Sequence, residues 1–378
     1  MKPDRTWATI DLDIVASNLE LLRCLLPEKK ILGVVKADAY GHGSIPISRR
    51  LADENIDYLG VGTSREALDL RKSNIDTPIL VLGALIDSEL DLLIDQNISV
   101  TIHSSSRIKL LDEIAQKRGQ TLGVHLLVDT GMSRLGVSPE QAFIHGSEID
   151  RCPGLRFEGI GTHLPTPGST PIVARQQEIL HDIVNNLENA GIGPLLVHID
   201  ASEAALRHPD PTAGMVRLGG ALYGFFRHLP AGKELKAVLN LHSQVVYLRD
   251  HPPHQPIGYG GTFVTARQSR LATVPIGYHD GFSSALSNRG QVIIRGQRVP
   301  VVGRVTMDYC MVDVTDVPGT VVGDEVTLIG TDGDATITAE EIADWSGTLP
   351  YEVTCLLGSR VERHHVGKFT QELEMEGR

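Results

Sequence analysis

The chain has 378 residues, of which 41% are hydrophobic and 22% charged, and its net charge is -12 at pH 7. That length exceeds one small core, so two domains are expected, and the composition is ordinary for a globular protein. The acidic balance argues against nucleic acid and acidic membrane surfaces as partners, although a locally basic site still suits a small anion. No apolar run approaches membrane-spanning length. No apolar signal-peptide core follows Met1-Lys2-Pro3-Asp4-Arg5. Cys24, Cys152, Cys310 and Cys355 are scattered, without C-x-x-C spacing. Neither a disulfide framework nor a zinc site is therefore expected, and a reduced cytoplasm is the simplest compartment. His364-His365 lies in a polar segment and is not read as a metal site.

Thr6 to Asp11 alternates as a short strand. Leu12 to Leu26 then carries Ile14, Leu19, Leu22 and Leu26 near helical spacing, with Asp13 as the expected cap. Eight apolar runs follow, at 31–35, 58–61, 79–82, 98–102, 122–128, 157–161, 195–199 and 215–218. Helical patterns at 64–72, 88–95, 106–117, 139–149 and 172–190 separate most of them. Eight such units argue for an α/β fold with a (β/α)8 TIM-like barrel. A doubly wound open sheet is the alternative, but no G-x-G-x-x-G opens a helix after the first strand.

Around Arg227–Lys236 the texture changes to a linker. Shorter alternating runs follow at 238–248, 270–274, 291–295, 298–302, 311–314 and 325–329, broken by Asn288-Arg289-Gly290 and Asp332-Gly333-Asp334. One helix is expected at Ala339–Trp345, and Tyr351–Cys355 reads as an ordinary last strand. The expected division is a barrel over 1–232, with its first strand near 6–11 set apart, and a mainly β domain over 233–378.

The chemistry concentrates where barrel strands end. Val34-Val35 feeds Lys36, and the glycine-rich turn Ala37-Asp38-Ala39-Tyr40-Gly41-His42-Gly43 follows. Barrel enzymes place their chemistry at such strand ends. A lysine there is partly desolvated, which frees an amine as nucleophile or base. Arg134, in D-T-G-M-S-R-L-G at 129–136, could fork onto a carboxylate. Thr162-His163 ends the sixth barrel strand, and such a histidine can stack on an aromatic ring or titrate. Ser202 follows the seventh and Gly219-Gly220 the eighth, where barrels commonly hold phosphate. Arg217 stands where a ring nitrogen could be met.

Seven ordered motifs then resemble the alanine racemases along essentially the whole chain. They are K-A-D-A-Y-G-H-G at 36–43, D-T-G-M-S-R-L-G at 129–136, R-L-G at 217–219, G-Y-G-G-T-F at 258–263, G-Y-H-D-G at 277–281, G-R-V-T-M-D at 303–308, and Y-E-V-T-C at 351–355 with Arg360 and Arg363 beyond. The resemblance implies a pyridoxal-phosphate enzyme of fold type III. It also implies a barrel, a β domain that packs with the strand near 6–11, and a homodimer with shared active sites acting on a small amino acid. It implies that Lys36 is the Schiff-base lysine and one of two bases. Tyr259 from the partner chain would be the other. Phenols are poor bases at their ordinary pKa of about 10, so that role needs surroundings favouring the phenolate. Tyr40, Ser202, Gly219, Gly220 and Tyr351 would meet the phosphate, His163 the ring, and Arg217 the ring nitrogen. Arg134, with Met307 and Asp308 of the partner, would meet the substrate carboxylate.

The chain departs from the family at several places. Asp200-Ala201-Ser202 replaces A-N-S, Leu164 to Gly168 differs from the usual run after the histidine, and Thr306 replaces a common cysteine. Leu127 stands where many members carry a carbamylated lysine that steadies the arginine, so a substitute acceptor beside Arg134 is expected. None of these removes a catalytic group. Racemisation of alanine, supplying D-alanine for peptidoglycan, is the expected activity. A serine or broad-specificity racemase, a non-catalytic pyridoxal-phosphate homeostasis protein and a fold-type-III decarboxylase are the rivals.

Overall fold

The computed structural model describes residues 5–193, 195–226 and 233–368. Two compact units emerge, and neither is one continuous stretch of chain. One unit comprises Val15–Ala39 and Ser44–Leu235. The other takes its described residues from 5–14, 40–43 and 236–368. The linker expected at Arg227–Lys236 lies largely outside the described residues.

The strand at the start of the chain is β1 (Thr6–Asp11). The first unit is a closed parallel barrel of β2 (Lys30–Val34), β3 (Tyr58–Val61), β4 (Ile79–Val81), β5 (Ser99–Ile102), β6 (Leu122–Leu127), β7 (Leu155–Gly161), β8 (Leu196–Ala201) and β9 (Met215–Leu218). These strands are nearly continuous apolar runs because helices cover the outside and side chains fill the inside. Leu32, Leu59, Leu80, Val100, Val124, Ile160 and Val216 are all buried. Ile31 paired with Val216 helps close the ring. The eight strands and the barrel expected from the sequence are thus present.

Two bulges interrupt the barrel ladder. Between β6 and β7 the register passes from Val124–Phe157 to His125–Gly159, so Glu158 is the extra residue. Between β8 and β9 it shifts between His198 and Ala201. Bulges re-aim side chains and are common beside functional sites.

The second unit is mainly β. Its further strands are β10 (Leu239–Gln244), β11 (Tyr247–His251), β12 (Pro256–Ile257), β13 (Phe263–Val264), β14 (Ser269–Val274), β15 (Gln291–Ile294), β16 (Gln297–Pro300), β17 (Cys310–Asp313), β18 (Glu325–Asp332), β19 (Ala335–Ile337) and β20 (Glu362–Val366). The main sheet runs β16-β15-β18-β10-β1-β20, with β19 beside β18. A three-stranded sheet, β11-β14-β17, and the β12–β13 ribbon complete it. β1 lies antiparallel to β10 and parallel to β20, and alternates buried with half-buried residues.

Two local expectations are corrected, for Tyr351–Cys355 and for the cap of the first helix. Tyr351–Cys355 is not a strand but part of a helix, Pro350–Cys355. Pro350 sits in its first turn, where a missing N–H costs nothing. The polar His364-His365 segment is strand β20. The first helix, Leu12–Leu25, is capped by Asp11, whose Oδ1 accepts from the amides of Asp13 at 2.9 Å and Ile14 at 3.2 Å. Asp13 instead accepts from the amide of Lys368 at 3.0 Å.

Candidate active site

Lys36, His163, Ser202, Arg217, Gly219 and Gly220 stand at or just beyond the C-terminal ends of the barrel strands, the face where barrel enzymes work. Lys36 follows β2 directly. The six residues Lys36–Gly41 form one helical turn, but Ala37, Asp38, Ala39 and Tyr40 have φ of 52°, 53°, 53° and 55°. The turn is therefore left-handed, where the sequence indicated a simple glycine-rich turn. Four consecutive non-glycine residues in that region are costly, at about 1–2 kcal/mol each. Hydrogen bonds hold it. The Ala39 amide donates to Val35 O at 2.9 Å, the Ala37 amide to Glu66 Oε1 at 2.7 Å, and the Ser44 amide to Asp38 Oδ1 at 2.7 Å. Glu66 Oε2 also accepts from Gly62 at 2.7 Å, so this one carboxylate ties the end of β3 to the residue after Lys36. Sequence reading missed Glu66; T-S-R-E at 63–66 is a capping box and was its signal. The partial desolvation expected for Lys36 is not supplied by this chain, in which the residue is exposed.

Arg217 is buried on β9. Its Nη1 donates to His198 Nδ1 at 2.7 Å and His198 O at 2.8 Å. Its Nη2 donates to Thr162 O at 2.7 Å and Ile199 O at 2.9 Å, and lies 3.4 Å from His163 Nδ1. The Nε–H makes no hydrogen bond among the described residues, so one directed donor is left over. Burial lowers the Arg217 pKa to about 10, with Asp200 opposing, and it remains a cation. Burial, then the charges of Arg217, Arg134 and Lys36, lower the His163 pKa to about 4, so its ring is neutral. Ser202 Oγ accepts from the amides of Gly219 at 3.0 Å and Ala221 at 3.2 Å. Its own proton remains to be donated outward, and a hydroxyl donor at this corner suits a phosphate. Ala221 was not singled out from the sequence.

Asp129 organises the loop carrying Arg134. Burial raises its pKa, but hydrogen bonds from the amides of Ser133, Gly131 and Met132 outweigh that and hold the carboxyl below its ordinary range. The substitute acceptor expected beside Arg134 is not found: the guanidinium makes no hydrogen bond or ion pair among the described residues. The residue is exposed, so water can solvate the charge and the cost that demanded a partner does not arise.

In the second unit, Tyr40 and Tyr351 meet edge to face with ring centroids 6.1 Å apart. Burial, then Cys355 and Tyr351, raise the Tyr40 pKa, so its phenol stays a donor. A Cβ on Gly41 would lie 2.1 Å from Thr354 O, and Arg363 Nε donates to Gly41 O at 3.3 Å. Tyr259 sits on a single 3-10 turn, Tyr259–Gly261, and is 74% exposed, with Met307 also exposed. Asp308 pairs with Arg360 at 2.7 Å, and Arg360 also donates to Asp280 at 2.8 Å.

A lysine and a serine–amide corner stand at the mouth of a closed parallel barrel, the face where barrel enzymes work. Family models described as "Alanine racemase, N-terminal domain" and "Alanine racemase, C-terminal domain" match residues 10–226 and 238–365. An alanine racemase of Methanococcus maripaludis is 38% identical over 364 residues, covering 94% of this chain and 97% of that protein. The solved alanine racemase of Clostridium difficile 630 superposes with a TM-score of 0.89 at 35% identity, covering 97% of each chain. That of Bartonella henselae, solved with covalently bound pyridoxal phosphate, superposes with a TM-score of 0.87 at 28% identity, covering 96% of this chain and all of that one (100%). This chain belongs to the alanine racemase family, and it is an enzyme.

Proposed function

We propose that the enzyme interconverts L- and D-alanine with pyridoxal phosphate, using Lys36 and the partner chain's Tyr259 as bases on opposite faces of the substrate. The observation that carries this reading is the convergence of Lys36, Ser202 and Arg217 on one end of one barrel, with Arg217 Nε left over as a donor. Pyridoxal phosphate supplies an electron sink for the charge left when the α-proton departs. Lys36 would hold it covalently until the substrate amine displaces it, which frees the lysine amine to act as a base. Ser202 with the amides around Gly219 and Gly220, together with Tyr40 and Tyr351, would bind its phosphate. His163 would flank the ring and Arg217 Nε would meet the ring nitrogen, which a weak acid leaves unprotonated. The Lys36 amine takes the α-proton from one face while the Tyr259 phenol returns one to the other, and the roles reverse for the other enantiomer. Arg134 and the partner chain's Met307 and Asp308 would orient the substrate carboxylate.

The working form is then a homodimer with shared sites. Among the described residues no helix is long and apolar enough to cross a membrane. A cytoplasmic enzyme supplying D-alanine for peptidoglycan follows from this reading. The test is optical: purified protein with added pyridoxal phosphate should abolish the rotation of L-alanine and of D-alanine, and act on alanine faster than on serine. A faster rate on serine would replace the substrate, and no rate on any amino acid would overturn the reading.

A further inference from the structure

Arg217 is the end of a chain of polar side chains that crosses the barrel. His198 Nδ1 accepts from Arg217 Nη1 at 2.7 Å. His198 Nε2 lies 3.0 Å from His125 Nδ1. His125 Nε2 lies 3.7 Å from Glu158 Oε2 and has no hydrogen-bond partner. Glu158 also accepts from Ser99 Oγ at 2.7 Å and from Arg156 Nε at 2.7 Å. Both imidazoles are fully buried.

The protons of this chain can be assigned from its ends. An arginine only donates, so His198 Nδ1 is a lone pair and its proton is on Nε2. That N–H donates to His125 Nδ1, which puts the His125 proton on Nε2, facing the carboxylate. The Glu158 carboxylate, 3.7 Å from that nitrogen, makes no hydrogen bond to it, but its negative charge favours the same assignment. Reversing either ring would set two protons or two lone pairs face to face. Burial, then Arg217 and His125, lower the pKa of His198 and keep it neutral. Burial of Glu158 alone would raise its pKa, but His125, Ser99 and Arg156 lower it to about 2, so it stays an anion.

The backbone is cut to fit this chain. A Cβ on Gly159 would lie 2.4 Å from His125 Nδ1, one on Gly161 would lie 2.2 Å from His198 Cε1, and one on Gly123 would lie 2.4 Å from Glu158 Oε2. None of the three has a positive φ, so room for these side chains, not backbone freedom, is what glycine provides. Glu158 is itself the extra residue of one bulge, and His198 borders the other.

We propose that Glu158, His125 and His198 are positioning residues: an anion at one end and a cation at the other polarise two neutral imidazoles in one direction, which holds Arg217 in place with Nε aimed at the barrel mouth. No proton travels along it. The consequence for racemisation rests on the reading above; the consequence for the rings does not.

The test uses 15N-labelled histidine and arginine in the apo-protein and kinetics in the holoenzyme. In the apo-protein both rings should carry their proton on Nε2, and His198 should not titrate between about pH 5.5 and 8. Glu158→Gln keeps an acceptor but removes the charge. It should shift the His198 Nε2 and Arg217 Nε resonances, although Glu158 has no hydrogen bond to either. Glu158→Asp, which keeps the charge, should shift them less. In the holoenzyme Glu158→Gln should lower kcat by about tenfold, the worth of one hydrogen bond, with KM within about twofold. A ring protonated on Nδ1, or resonances unmoved by Glu158→Gln in a folded protein, overturns the relay. A wild-type kcat in Glu158→Gln overturns its effect on the reaction. If Glu158→Gln does not fold, His125→Gln is read in the same way. Wild-type protein with the assigned rings but no racemisation would instead count against the proposed activity alone.

Discussion

At the scale of single residues, the site divides into buried groups held by named hydrogen bonds and groups exposed in the single chain. Arg217 and Ser202 are fixed by named partners, while Lys36, Arg134 and Tyr259 are exposed in the single chain. Borohydride reduction in the presence of pyridoxal phosphate, followed by peptide mapping, should therefore label the peptide containing Lys36. A pyridoxyl group on another lysine sinks the assignment. Lys36→Ala should lower racemisation by at least about 100-fold, the lower end of what a positioned base contributes. The residues that touch nothing unusual in sequence were the hardest to read. Lys36 and Arg217 were legible because motifs flank them. His125 sits within V-H-L and Glu158 within F-E-G, where a polar residue amid apolar ones gives no sign of what it faces. Only the fold brings β6, β7, β8 and β9 side by side and shows a line of four charged or polar groups.

At the scale of elements, continuous apolar runs made the barrel strands legible, because both faces of a parallel strand are buried. The helix Pro350–Cys355 was not, since Y-E-V-T-C alternates and carries β-branched residues, and Pro350 alone marks a helix start. The left-handed turn after Lys36 was invisible for a simpler reason: Ala37, Asp38 and Ala39 prefer the opposite hand. Ala37→Gly should accordingly leave stability unchanged or raise it by up to about 1 kcal/mol, against a loss of about 0.5–1 kcal/mol in a right-handed helix. Urea unfolding of the two proteins decides it. The barrel also responds to acid. The His163 pKa is lowered to about 4 and that of His198 is lowered further, whereas both bind protons near pH 6.5 in the unfolded chain. Between about pH 6.5 and 4 the unfolded chain binds more protons, so stability is full above that window and falls as pH drops through it. His163 alone contributes on the order of 2–3 kcal/mol. The urea midpoint of the apo-protein should fall from pH 7.5 to pH 5, and His163→Asn should flatten that dependence. A midpoint that rises on acidification contradicts the buried neutral rings.

At the scale of the whole molecule, the proposed shared site makes a test by complementation. Lys36→Ala and Tyr259→Phe chains are each expected to be inactive alone. Mixed and refolded together, they should regain activity, because a hybrid dimer holds one site with both bases. Isolated hybrids that stay inactive, formed from variants that fold, would place both bases on one chain. The order of the chain has a further consequence. β1 comes first in sequence, yet its partners β10 and β20 come near the middle and the end. A chain without residues 1–11 should leave those two strands with open edges and aggregate, as light scattering would show. In a cell the same connection is a matter of time. The ribosome makes β1 before the other described strands, but Glu362 of β20, which faces Trp7, is added about 350 residues later. At about 5–20 residues per second that is a wait of roughly 20–70 s. The barrel can close meanwhile, since its last strand ends at Leu218, but the second unit cannot. The β20 edge of its first strand must stay unpaired until synthesis is nearly over, so a stop codon even ten residues before β20 would leave a finished barrel attached to a sheet that never acquires its last strand.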